Sequence, residues 1–147
     1  MGEVAELYAI VLRIARRVQE GDAAMTVTQR LALIEIAAAG QLRPNILARR
    51  MDTTPATVTR AIDALEALGF VRRCENPDDR RGILVTVTRA GRRWTDRRRQ
   101  LVQEALSHIP PAAAPTRLVN DMRRLNEALR DATGHDEISR GALLAPQ

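Results

Sequence analysis

Apolar residues return in steps of three and four at the start of the chain: Val4, Leu7, Val11, Ile14 and Val18. That spacing places them on one stripe of a helix packed lengthwise on another helix, predicted over residues 3–20 and stopped by Gly21-Asp22. Thr26 and Gln29 have the spacing of a reciprocal capping box, which predicts a second helix to Ala39, with Gly40 ending it in a left-handed conformation. Leu31, Leu33 and Ile34 are expected on its buried side. Pro44 suits the first turn of a third helix, to Met51, because the N–H it lacks would have no partner there. Asp52-Thr53 make the next turn, and Thr54-Pro55 reopen the chain as cap and first residue of a fourth helix reaching Leu68. Val58, Ile62, Leu65 and Leu68 share its buried face, so Ala56, Thr57, Thr59, Arg60 and Asp63 face elsewhere.

The period then changes. Segments 70–75 and 83–88 are β-branched or alternating, and the turn-forming run Asn76-Pro77-Asp78-Asp79-Arg80-Arg81-Gly82 joins them, which predicts a hairpin. Helical spacing resumes over 89–109, with Trp94, Leu101, Val102, Ala105 and Ile109 on the apolar side, until Pro110-Pro111 break it. A last helix over 115–132 carries Leu118, Met122, Leu125 and Leu129; Gly134 closes it, and residues 135–147 are expected to fray. The predicted fold class is mainly α with a small β-hairpin wing. A winged helix-turn-helix occupies about 25–91, flanked by helices at about 3–20 and 92–132, within a single domain spanning 1–147. The terminal stripes either cover one monomer's core or pair with a second copy. Dimerisation is the preferred reading, because a thin winged module cannot cover both stripes and two-fold dimers are the commonest oligomers.

Composition narrows the function classes. Aromatic residues are confined to Tyr8, Phe70 and Trp94, so the core must come from Leu, Ile, Val and Ala. A lone cysteine, Cys74, excludes an internal disulfide and suits a reducing compartment. No apolar run nears the ~20 residues of a membrane span, and Glu3 and Glu6 do not suit a signal peptide; a soluble, cytoplasmic protein without membrane contact is expected. All 23 basic residues are arginine, a bias best read as a GC-rich genome. Their placement says more. Residues 72–99 hold ten arginines against four acids, a segment charge of +6 in a chain whose total is +5. A basic patch focused on so small a domain is the footprint of a polyanion binder.

Motifs in this stretch carry a resemblance. Asp79, Arg81, Val87, Thr88 and Gly91 follow the wing signature Asp-x-Arg, five residues, Leu-Thr, two residues, Gly, with Val in place of Leu. Thr26-x-x-Gln29, Leu47-Ala48, Pro55, Thr57-Val58-Thr59-Arg60 and Leu68-Gly69-Phe70-Val71 also match. On these residues the chain resembles the MarR family of winged helix-turn-helix transcriptional regulators. The resemblance covers residues 25–91 in sequence and the whole chain in helix order. One departure is Arg43, where the family usually places Ser or Thr to cap the first helix of the motif; a lost cap costs about 1 kcal/mol.

The resemblance implies a bacterial, homodimeric repressor of a palindromic double-stranded DNA operator, with no cofactor and no metal. The fourth helix would enter the major groove with Thr54, Ala56, Thr57, Thr59 and Arg60 as candidate contacts: Arg suits guanine O6 and N7, and Ala and Thr methyls suit the thymine methyl. Thr54 is read first as the cap, and Thr59 is either a groove residue or half-buried. The hairpin would place Arg81 in the adjacent minor groove, with Asp79 orienting it and Arg80 next in line for phosphate. Arg97, Arg98 and Arg99 are read as solvated, since consecutive helix residues cannot all face one partner. Relatives often bind small aromatic anions between the dimer helices and the DNA-binding lobes. Tyr8 and Trp94 are candidates to line such a pocket, with core packing as the alternative for each.

Three other readings stand beside this one. Cys74, flanked by Arg72 and Arg73, would make the chain a redox-responsive regulator if its thiolate were favoured. A winged helix can also serve as a protein-interaction or RNA-binding module. Catalysis is the least supported, because His108 and His135 sit in no nucleophile or metal spacing and no Gly-rich phosphate loop is present.

Overall fold

Thr26 opens α2 (Val27–Ala39) through the box its spacing requires. Its Oγ1 accepts the Gln29 N–H at 3.2 Å, and Gln29 Oε1 accepts the Thr26 N–H at 2.9 Å. Gly40 ends the helix at φ 80°, a region that favours glycine. The computed structural model describes residues 2–19, 24–77, 79–107 and 115–132. In chain order these form α1 (Gly2–Gln19), α2, β1 (Gln41–Leu42), α3 (Pro44–Arg50), α4 (Pro55–Ala67), β2 (Val71–Asn76), β3 (Asp79–Val87), α5 (Arg89–Ser107) and α6 (Pro115–Ala132). The expected frayed tail and both histidines lie outside the described residues, as do the breaks at 21–22 and 110–111.

The strands form one antiparallel sheet in the order β1-β3-β2. The strand β1 was not foreseen. Leu42 pairs with Val85 and Gln41 with Thr86, which ties the entry to α3 onto the far edge of the hairpin. Two residues give no alternation to read, and only the tertiary partner makes them a strand.

One core closes the lobe. Leu33 and Ile36 of α2, Leu47 of α3, Val58, Ile62 and Leu65 of α4, and Val71 and Val85 of the sheet are all but fully buried. Burial of such side chains stabilises by about 1.5–3 kcal/mol each. Two expectations fail at its margin. Leu31 and Ile34 are 41% and 47% exposed, while Ala32, Leu33 and Ile36 make the buried face. The sequence of α2, VTQRLALIEIAAA, is apolar nearly all round, so periodicity cannot choose between its two apolar faces. Leu68 is 40% exposed because α4 ends at Ala67 and Gly69, at φ 74°, turns the chain away.

Among the described residues, neither α1 nor α6 packs extensively on this lobe. Ile10, Leu12 and Ile14 of α1, Leu101 and Val102 of α5, and Met122, Leu125 and Leu129 of α6 all stay exposed in the single chain. No helix among the described residues is long and apolar enough to cross a membrane.

Candidate nucleic-acid interface

Two short helices set the geometry. α3 starts at Pro44 with Arg43 in the cap position, where no side-chain hydrogen bond forms. The helix persists without that bond because Leu47 and Ala48 are buried. Asp52 makes the turn at φ 49°, a left-handed conformation that Asp tolerates better than most residues. Thr54 then caps α4: its Oγ1 accepts the Thr57 N–H at 3.2 Å and lies 2.9 Å from Thr57 Oγ1. The capping role preferred for Thr54 is therefore the observed one. With Val58, Ala61, Ile62 and Leu65 buried, Ala56, Thr59, Arg60 and Asp63 form the exposed face of α4, and Thr57 is half-buried beside them. Thr59, for which two roles were open, is exposed, and its hydroxyl donates to the Pro55 carbonyl at 2.9 Å.

The hairpin lies against this helix through a contact that sequence reasoning missed. Arg73 on β2 reaches Asp63 of α4 at 2.5 Å and also pairs with Glu66, whose Oε1 accepts the Arg73 backbone N–H at 3.0 Å. Arg73 therefore acts as a clamp between wing and helix, and its charge is neutralised within the protein. The signal for it was two acids a helical turn apart on α4, ahead of an arginine in the next strand. The Arg73 N–H, then its guanidinium, hold the Glu66 carboxyl below the usual carboxylate range. The ionised form is thus favoured by folding. Its contribution is complete above the unfolded value, about 4.3, and disappears as pH falls through the lower folded value. Glu66→Gln should lower the urea midpoint at pH 7, and the gap to the parent should narrow steadily below pH 4; a gap independent of pH would remove Glu66 from this role.

The hairpin differs from expectation at its end. Asn76 pairs with Asp79, so strand β3 begins four residues earlier than predicted, and only residues 77 and 78 separate the strands. Between the Glu75–Ile83 and Asn76–Asp79 pairs the register jumps, and residues 80–82 form an irregular excursion of β3. Such a bulge bends a strand and re-aims its side chains. Arg80 and Arg81 thus belong by backbone to a bulged strand and not to the connecting loop. The side chains of Asp79, Arg80 and Arg81 are outside the described residues, as is the expected Asp79–Arg81 contact.

The rest of the signature is structural. Thr88 Oγ1 donates to the Gly69 carbonyl at 2.7 Å and accepts the Gly91 N–H at 3.2 Å, joining the end of α4 to the start of α5. A methyl at Gly91 would stand 2.2 Å from the Phe70 carbonyl oxygen. Cys74 is half-buried in the sheet with its Sγ 3.0 Å from Thr86 Oγ1.

A second feature lies on the opposite side of α2. A groove of about 1220 Å³ runs between α1, α2 and α5, with Leu31, Ile34, Trp94 and Leu101 among its lining. Arg17, Arg30, Arg92, Arg98 and Arg99 line it against one acid, Asp96, which is paired with Arg99. Trp94 both packs on the core and lines this groove, with the Arg98 guanidinium 5.4 Å from its ring centre. The Tyr8 side chain is outside the described residues.

A helix-turn-helix with an antiparallel hairpin clamped to its second helix defines the winged helix-turn-helix class. Residues 25–83 match the sequence model of the MarR family. An uncharacterized HTH-type transcriptional regulator of Mycobacterium bovis is 32% identical over 105 residues, covering 70% of this chain and 73% of the relative. Among solved structures, Streptococcus pneumoniae FabT in complex with DNA superposes with a TM-score of 0.66 at 19% identity, over 89% of this chain and 95% of FabT. NadR in complex with 4-hydroxyphenylacetate gives 0.67 at 20% identity, over 86% and 89%. The chain belongs to the MarR family: it is a transcriptional regulator with a DNA-binding winged-helix fold, and its relatives regulate transcription and are not enzymes.

Proposed function

We propose that the chain acts as a cytoplasmic homodimer that represses transcription from a palindromic operator, placing the exposed face of α4 in the major groove and the bulged end of the hairpin in the minor groove beside it. One observation carries the reading: α4 buries one face in the core, leaves Ala56, Thr59 and Arg60 exposed, and holds the wing alongside through Arg73. In this reading the winged unit at 25–91 binds DNA while α1, α5 and α6 join the two copies. Support for the dimer comes from the apolar residues those helices expose, which in water favour burial against a matching surface.

The groove suits a small aromatic anion. Its lining combines apolar side chains with an excess of arginines, and a guanidinium already stands over the indole. The space exceeds the roughly 300–1,000 Å³ of a small-molecule site, so a partner's helices can cover part of it and leave room for a ligand. A ligand preferring one spacing of the two lobes would then shift operator affinity.

The wing assignment is tested by Arg81→Ala against Arg98→Ala in fluorescence anisotropy with operator duplex. Arg81→Ala should weaken binding by about 1–3 kcal/mol and reduce the salt slope by about one, while Arg98→Ala changes little. Equal losses would take the special role from Arg81.

A further inference from the structure

Three hydroxyls stand at the N-cap and on the first two turns of α4, and each is already engaged locally. Thr59 donates to the Pro55 carbonyl, and Thr54 and Thr57 bond to one another while Thr54 also accepts the Thr57 N–H. Two of the three hydroxyl hydrogens are thereby committed. A threonine whose Oγ1 turns back to the carbonyl four residues earlier directs its methyl away from the backbone. Ala56 adds a methyl and no polar atom. The acid on this face, Asp63, is tied to Arg73. What this surface offers to a groove is therefore chiefly the exposed methyls of Ala56 and Thr59, the half-buried Thr57 beside them and the Arg60 guanidinium, with one hydroxyl hydrogen of the Thr54–Thr57 pair uncommitted.

Among the base edges of the major groove, thymine alone carries a methyl group, and its position also tells T·A from A·T. We infer that this regulator reads its half-site mainly through thymine methyls, packed against the methyls of Ala56, Thr57 and Thr59, with hydroxyl-to-base hydrogen bonds in a minor role. The inference rests on the proposed entry of α4 into the major groove and adds the chemistry by which that groove would be read. Arg60 would supply the one strong polar contact, to guanine.

The experiment begins with selection of bound duplexes from a random DNA library by the full chain. The enriched duplex is then made with thymine or with deoxyuridine at the half-sites, the flanks unchanged. Deoxyuridine lacks only the methyl, and affinity is expected to fall roughly fourfold per contacted methyl, the fold-change equivalent to ~0.8 kcal/mol. Thr59→Ser and Thr57→Ser keep each hydroxyl and delete the methyl. Each should bind the thymine duplex more weakly, and in at least one of them the deoxyuridine penalty should shrink, since the two changes remove the same contact. Equal affinity of the parent protein for the two duplexes overturns the inference, as does an undiminished penalty in both serine variants. A library yielding no enriched sequence overturns the major-groove placement, and the inference with it, which distinguishes the two failures.

Discussion

Gly91→Ala should lower the unfolding free energy by about 3 kcal/mol, the upper range for forcing a group into a packed site, and the melting temperature by roughly 10 °C. The added methyl would lie 2.2 Å from the Phe70 carbonyl oxygen and 3.0 Å from Val87 Cγ2. The first of these neighbours is backbone one residue before β2, and that backbone is fixed by the Thr88 N–H, which donates to the same oxygen at 2.9 Å. Nothing there can rotate aside. Gly69 makes the contrast: a methyl there meets no atom within 4 Å, and its φ of 74° is the only obstacle. Gly69→Ala should cost about 1 kcal/mol. Thermal melts of the two variants decide the matter, and a Gly91→Ala loss no larger than that of Gly69→Ala would show that close approach is not why glycine stands there.

The second large effect concerns assembly. Leu125 lies in the exposed stripe of α6, 38% accessible in the single chain, where the proposed dimer would bury it. Leu125→Glu would place a carboxylate against an apolar partner surface twice per dimer by symmetry, and an unpaired buried charge is strongly unfavourable. Sedimentation should show a monomer, and operator affinity should fall by ~100-fold or more as two half-site contacts cease to act together. The lobe itself should keep its helical content, because among the described residues α6 does not pack extensively on it. A variant that stays dimeric with unchanged affinity would remove this stripe from the interface.

The fold was legible wherever local chemistry had one solution. Thr26 with Gln29, Thr54 with Pro55, and Gly40 each admit one reading, and each stands where it was expected. The face of α2 was not legible, because Leu31 and Ile34 look as buriable as Leu33; which side meets α4 and the sheet is decided by the assembled lobe. The strand β1 and the clamp from Arg73 to Asp63 and Glu66 were hidden for a related reason, since both join segments remote in sequence. Of the candidate contacts, Thr57 is only half-exposed and the 3.6-residue period leaves Thr59 between exposed and half-buried, while the exposure of Ala56 and Arg60 followed from it. The inward turn of the Thr59 hydroxyl did not, because a side-chain rotamer leaves no trace in residue spacing. The hairpin was expected from its turn residues, yet its register jump rests on pairing that no turn motif encodes.

That jump also bears on the length of the arm. The ladder from Val71–Val87 to Glu75–Ile83 keeps a single register, and the extra residues 80–82 leave it only beyond that point. An insertion or deletion among them would alter how far the arm extends without shifting any pair nearer the core. The arm's length is thus uncoupled from the pairing that anchors the hairpin to the lobe, and a change there costs little in folding.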